Sequence, residues 1–125
     1  MNLLLDTHTL LWWLDDSPDL CISAKEAISR GDNLVYISAA TIWEIVIKRA
    51  LGKLNLPDDF RETLEQQPLR HLDITSAHAF QVGNLPLFHR DPFDRLLVAQ
   101  CQIEGLTLVT RDPEIKRYDV ATLQA

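Results

Sequence analysis

Three short runs dominated by apolar residues, Leu3 to Leu5, Leu34 to Ile37 and Leu106 to Val109, constrain the fold of this chain more than any other feature. A strand with one face in water alternates apolar and polar side chains, whereas an uninterrupted apolar run has both faces covered. The segments between these runs carry helical signals. Thr7 to Leu14 read as a helix, and Ser23 opens a second that stops at Gly31. Ser38 is a natural N-cap for a helix over 39–51, with Gly52 as its stop. Asp91 starts a long helix through about Glu104, with apolar residues at 93, 96, 97, 98, 101 and 103 and Gly105 beyond. Residues 59–66 and 76–82 read as shorter helices, Leu69 to Leu72 as a further strand, and Tyr118 to Leu123 as the last. Buried-type strands alternating with helices predict an α/β three-layer sandwich, a central parallel sheet flanked by helices.

A length of 125 residues with 46% hydrophobic content suits a single domain over 1–125. No repeat, low-complexity tract or linker divides it. No stretch approaches the roughly 20 apolar residues of a membrane span, and the opening residues lack a basic region and a small-residue cleavage site. The expectation is a soluble, cytoplasmic protein without membrane association. Cys21 and Cys101 are far apart, have no ligand-spaced His or Cys nearby and sit among apolar residues, which argues against a zinc site or a disulfide.

The formal net charge of −6 argues against a broad electrostatic binder of nucleic acid, because phosphate contacts normally need surplus Lys and Arg. A narrower route stays open. Acids that bind cations reverse the local field, and Arg90, Arg95 and Arg111 stand beside acidic motifs.

Four acids carry the chemical interest: Asp6, Glu44, Asp94 and Asp112. Three of them stand where helix caps are common. Asp91-Pro92-Phe93-Asp94 has an N-cap residue, Pro at the first helical position and an acid two residues later, resembling a capping box. Asp112-Pro113-Glu114 looks like the same device, and Asp6 can cap the helix from Thr7. Glu44 lies past any cap, among Ile42, Trp43, Ile45 and Ile47. A carboxylate on such a face is costly to desolvate unless a partner or metal compensates; alternatively, it faces water and pairs with Lys48 at i+4.

Carboxylates gathered in this way suit Mg²⁺ or Mn²⁺, hard cations that take oxygen ligands and leave positions open for a substrate phosphate. Such an ion polarises a phosphoryl oxygen and orients a water, so no side-chain nucleophile is needed, and no Ser/His/Asp or Cys/His constellation is evident. His8, His71, His78 and His89 are scattered without ligand spacing, although His8 is near enough to Asp6 to reach the site's edge. Thr7, Ser38 and Thr110 stand at strand ends, where hydroxyls orient carboxylates or cap helices. No Gly-rich phosphate loop occurs.

These residues fall into four motifs. Leu3-Leu4-Leu5-Asp6-Thr7-His8 leads into Leu10-Leu11-Trp12-Trp13; Ile37-Ser38 continues through Trp43-Glu44-Ile45 to Lys48 and Leu51-Gly52-Lys53-Leu54. Asp91-Pro92-Phe93-Asp94-Arg95-Leu96-Leu97-Val98-Ala99-Gln100 and Leu108-Val109-Thr110-Arg111-Asp112 follow. In this order they resemble the PIN-domain family, and within it the VapC-like toxins of type II toxin-antitoxin systems, nearly end to end. The resemblance implies a metal-dependent endoribonuclease with Asp6, Glu44 and Asp94 as principal ligands of Mg²⁺ or Mn²⁺, Asp112 as a fourth, and Asp91 as a neighbour. It also implies a homodimer and a cognate antitoxin that blocks the site. Trp12 and Trp13 are then dimer or antitoxin contacts, or simply core. Arg95, Arg111 and Lys48 are candidates for holding substrate phosphates.

A housekeeping PIN-type RNA-processing nuclease is the alternative within the same chemistry. A receiver-like phospho-signalling domain is the main rival outside it. That rival needs an adjacent acid pair after the first strand and a late strand-end Lys, whereas Leu5 precedes Asp6 and no Lys occurs between Lys53 and Lys116.

Overall fold

The structure, a computed structural model, describes residues 1–125. Five strands form one sheet: β1 (Asn2–Leu5), β2 (Leu34–Ser38), β3 (Arg70–Leu72), β4 (Thr107–Thr110) and β5 (Thr122–Gln124). Six α-helices surround it: α1 (Thr7–Leu14), α2 (Ile22–Ser29), α3 (Ala39–Ala50), α4 (Phe60–Glu65), α5 (Ser76–Val82) and α6 (Pro92–Glu104). The strand order is β3-β2-β1-β4-β5 and every pairing is parallel. The sandwich expected from the apolar runs is therefore the architecture found.

Burial explains why those runs are uninterrupted. Leu3, Leu4 and Leu5 are each fully buried. Leu3 and Leu5 pack with Leu10, Leu20, Ile28 and Ile45 on one face of the sheet, and Leu4 packs with Leu97, Val98 and Leu108 on the other. Each such side chain contributes about 2 kcal/mol relative to exposure, so a polar residue at any of them would be destabilising. The first core is covered by α1, α2 and α4, and the second by α6. Helix α5 packs on α6, and α3 serves both layers through Ala40 and Ile45. No helix is long and apolar enough to cross a membrane. Cys21 and Cys101 are free thiols, and burial pushes the Cys101 thiol up to about 12.

Most boundaries shift by a residue or two, and the last strand differs most from expectation. The last strand is Thr122–Gln124, not Tyr118 to Leu123, and a 3₁₀ turn occupies Ile115–Arg117. Tyr118 is buried in the second core, where its hydroxyl accepts from the His89 backbone N–H (2.9 Å) and from Arg95 Nη1 (3.2 Å). This anchoring holds the chain under the 84–90 loop until β5 can pair with β4.

The chain leaves β1 for one side of the sheet and β4 lies on the other, so the order switches at β1. Crevices at the carboxyl ends of strands flanking such a switch are where parallel sheets bind ligands. Asp6 follows β1 directly, and Asp112 follows β4 with only Arg111 between.

Candidate active site

A cavity of about 440 Å³ opens at that edge, and it is lined by Asp6, Glu44, Asp91, Asp94 and Asp112 together with Lys48, His89, Thr7, His8, Trp12, Arg111 and Pro113. The four acids singled out from the sequence converge there, and Asp91 joins them. Three of these five acids cap backbone, but each cap uses one oxygen. Asp6 Oδ1 accepts from Thr9 N (2.9 Å), and Asp91 Oδ1 accepts from Phe93 N (2.8 Å) and Asp94 N (3.3 Å). Asp112 Oδ1 accepts from Glu114 N (2.9 Å) at a turn that leads into the 3₁₀ segment, not into an α-helix. Capping and ligation are thus compatible: the cap fixes the rotamer, and a second oxygen is left for the cavity.

Glu44 is only 5% exposed. Thr7 Oγ1 donates to its Oε1 at 2.6 Å and Lys48 Nζ to its Oε2 at 2.6 Å. The i+4 pair with Lys48 exists, yet the carboxylate is turned inward, so pairing and burial coexist. The Glu44 bond raises the Lys48 pKa above the usual lysine value against the opposing effect of burial, with the charges of Asp91 and Asp94 adding to it. Lys48 is therefore a fixed ammonium within the acid cluster.

The capping box expected over Asp91–Asp94 does not form. His89 Nδ1 accepts from the Asp91 backbone N–H at 3.1 Å, the donor that the Asp94 side chain would otherwise take. This substitution releases Asp94 into the cavity. It also fixes the imidazole tautomer, since a nitrogen that accepts a backbone N–H carries no proton itself. The ring proton is on Nε2, which lies 2.8 Å from Asp112 Oδ2 and 3.1 Å from Asp94 Oδ2. The nitrogen and the two carboxylates are close enough to surround a small cation, with ligand atoms all within 4.8 Å of one another. In this tautomer, however, His89 donates to Asp112 beside Asp94 and offers no lone pair. The scattered histidines thus include two that line the site, His8 at its edge and, among the acids, His89. Its only sequence signal is its position two residues before a helix N-cap.

Desolvation pushes the Asp94 carboxyl up to about 7; the charge of Asp91 adds to the rise, His89 opposes it, and Asp6 and Glu44 add further. For His89, burial disfavours the imidazolium but is outweighed by the hydrogen bond to Asp112 and the charges of Asp94, Asp112 and Asp91, so its pKa is raised. Both shifts report excess negative charge in a partly dry site. A donor set of carboxylate oxygens, with Lys48 paired to only one of them, fits a hard divalent cation.

The basic candidates divide. Lys48 and Arg111 line the cavity, whereas Arg90 and Arg95 do not. Arg95 is tied to the carbonyls of Pro86 (2.9 Å) and Val82 (3.1 Å) and to the Tyr118 hydroxyl. It secures the 82–90 loop against α6 and lies outside the cavity where a substrate contact was expected of it. Trp12 and Trp13 are half-buried against the first core, with Trp13 Nε1 donating to Gln67 Oε1, and Trp12 also reaches the cavity.

Residues 3–121 match the family described as PIN domain, and the chain belongs to that family. Ribonuclease VapC22 of Mycobacterium tuberculosis is 29% identical over 120 residues, covering 94% of this chain and 92% of that protein. Among solved structures, VapBC2 from Rickettsia felis, bound to a DNA fragment from its promoter, shares the fold with a TM-score of 0.75 at 20% identity, covering 98% of each chain. FitAcB from Neisseria gonorrhoeae does so with a TM-score of 0.70 at 23% identity, covering 98% of this chain and 96% of that one.

Proposed function

We propose that this protein is a divalent-cation-dependent endoribonuclease and the toxin of a type II toxin-antitoxin pair. The observation that carries the reading is the burial of Glu44 in a cavity shared with Asp6, Asp94 and Asp112. Carboxylates gathered in a partly dry cavity with one ammonium among them are costly unless they take up a proton or further positive charge arrives. Membership of the PIN family and the likeness to a relative named as a ribonuclease support RNA as the substrate.

Asp6, Glu44 and Asp94 are the principal residues for holding Mg²⁺ or Mn²⁺, with Asp112 completing the set. When bound, the cation supplies a Lewis acid for the phosphodiester and lowers the pKa of water at the site. The chain's own residues supply order. Thr7 and Lys48 clamp Glu44 in one rotamer, the Asp6 and Asp112 caps aim their side chains, and His89 keeps Asp94 and Asp112 together. Similarity of fold to the VapBC structures supports an antitoxin partner, and homodimerisation is proposed on the same likeness.

Protein freed of any bound antitoxin is expected to cleave RNA when Mg²⁺ or Mn²⁺ is added and to stop when EDTA is added. Expression of the chain alone is expected to arrest growth, with relief by a small adjacent open reading frame. Cleavage that persists in EDTA would refute the cation requirement. Growth unaffected by the chain, with RNA cleavage intact, would assign it to RNA processing instead.

A further inference from the structure

The cavity has a second wall whose chemistry is opposite to that of the carboxylates. The Arg111 guanidinium lies 4.3 Å over the ring of Trp12, and its Nη2 donates to the main-chain oxygens of Asp19 and Ala125. The stack and the two bonds set the plane of the group, while Nε and Nη1 are engaged by nothing in the chain. Arg111 pairs with none of the five carboxylates of the cavity, although it shares that cavity with them. His8, exposed and without a hydrogen bond, stands beside Trp12 with ring centroids 5.8 Å apart and planes at 34°. A planar donor of fixed orientation next to two aromatic rings matches a phosphodiester bearing an unstacked base.

We propose that Arg111, Trp12 and His8 form a nucleotide subsite beside the carboxylate cluster. Nε and Nη1 of Arg111 take the phosphate of the nucleotide next to the scissile bond, and its base lies against His8 and the open edge of Trp12. The proposal rests on the RNA-cleaving reading above and names how that substrate is gripped. With a net charge of −6, the overall field repels a polyanion, so affinity has to come from a few preorganised contacts. The occupant is single-stranded, because a base within a duplex has no free face to stack. Every base has such a face, so the subsite grips without dictating sequence. A peptide carboxylate would satisfy Arg111 equally well but would leave His8 and Trp12 without a stacking partner.

The test uses the full chain in EDTA with fluorescein-labelled hexauridylate and hexaadenylate, following anisotropy across a salt series. Arg111→Ala is expected to weaken binding by about tenfold or more and to lower the slope of log K against log salt by about 1. Arg111→Lys should recover the slope but not the affinity, because a point charge lacks the planar fork. His8→Ala should weaken binding by about fivefold at an unchanged slope. Loss of Arg111 also removes its anchors on Asp19 and Ala125, so thermal melts accompany each variant. His8→Ala removes no hydrogen bond, and its folding is not in question. Wild-type affinity and slope in both Arg111→Ala and His8→Ala would overturn the subsite. Weakening by Arg111→Ala with no effect of His8→Ala would also overturn it, in favour of an acidic peptide at Arg111. If the wild type cleaves RNA with Mn²⁺ while both variants bind normally, the subsite alone falls. If the wild type neither binds nor cleaves, the ribonuclease reading falls with it.

Discussion

The strand-end loops and the α3–α6 helix pair both deliver acids to the cavity, but they hold them by different means. Asp6 and Asp112 give one oxygen to a nearby backbone N–H, which secures their placement locally, and Asp112 alone of the two also meets a distant side chain, His89. Glu44 and Asp94 lie inside helices that pack together, with Trp43 and Phe93 meeting edge to face at 5.3 Å. Their carboxylates are held by side chains from other elements: Thr7 for Glu44 and His89 for Asp94. The loop acids would be comfortable in a protein with no cation, because caps are stabilising in their own right. Asp94 would not, and its raised pKa records the cost, while Glu44 depends on Thr7 and Lys48 for its burial. The demand for a cation is therefore concentrated on the helix pair.

The largest expected effect follows directly. Glu44→Gln or Asp94→Asn should reduce RNA cleavage by more than about a hundredfold while leaving the fold intact by circular dichroism. Without added cation, Asp94→Asn should melt higher than wild type at pH 8, because it removes a charge that the folded state penalises. Near-wild-type cleavage by both variants would erase the distinction between the two regions.

The same cause gives a pH dependence. Asp94 has a folded pKa raised to about 7 from 3.8, so its contribution to stability is fully present below the unfolded value and is lost as pH rises through about 7. His89 is also raised, from 6.5, and acts in the same direction above that value. Cation-free protein should thus melt lower at pH 8 than at pH 5.5, and Mn²⁺ should narrow the gap by stabilising the ionised acids. A melting temperature that rises over this range in EDTA would contradict the electrostatic account.

A smaller effect is expected at His89. His89→Ala removes the donor to Asp112 and the ring nitrogen that touches Asp94, and should lower activity by about 10- to 100-fold, with weaker Mn²⁺ binding by calorimetry. The smallest belongs to the caps. Asp91→Ala should cost about 1 kcal/mol, read as a melting temperature lower by roughly 3–6 °C, with cleavage reduced far less than in Asp94→Asn. If Asp91→Ala equals Asp94→Asn in activity, Asp91 is a principal ligand and the division by region is misplaced.

Much of this was legible in the residues. Uninterrupted apolar strands announced a sheet covered on both sides, and Gly105, at φ 69°, ended α6 where a left-handed residue is needed. Glu44 was legible from its neighbours, because a carboxylate beside Ile42, Ile45 and Ile47 is unusual enough to require a reason, whereas Asp6, Asp94 and Asp112 each also read as caps and stood out only through the order of the four motifs. Two other features were not. Asp91 to Asp94 has the spacing of a capping box, and only the placement of His89 on the Asp91 N–H shows why the box fails to form. Arg95 and Arg111 each stand next to an acid of the site, yet one faces the 82–90 loop and the other the cavity.

By itself the sequence determined periodicity, caps and the supply of acids, all of which depend on neighbours a few residues apart. Tertiary structure alone decided which partner each charged group meets. Glu44 is clamped by Thr7 from 37 residues away, and His89 spans the 23 to Asp112. A charge's energy depends on the dielectric and the charges around it in space, and spacing along the chain does not encode these.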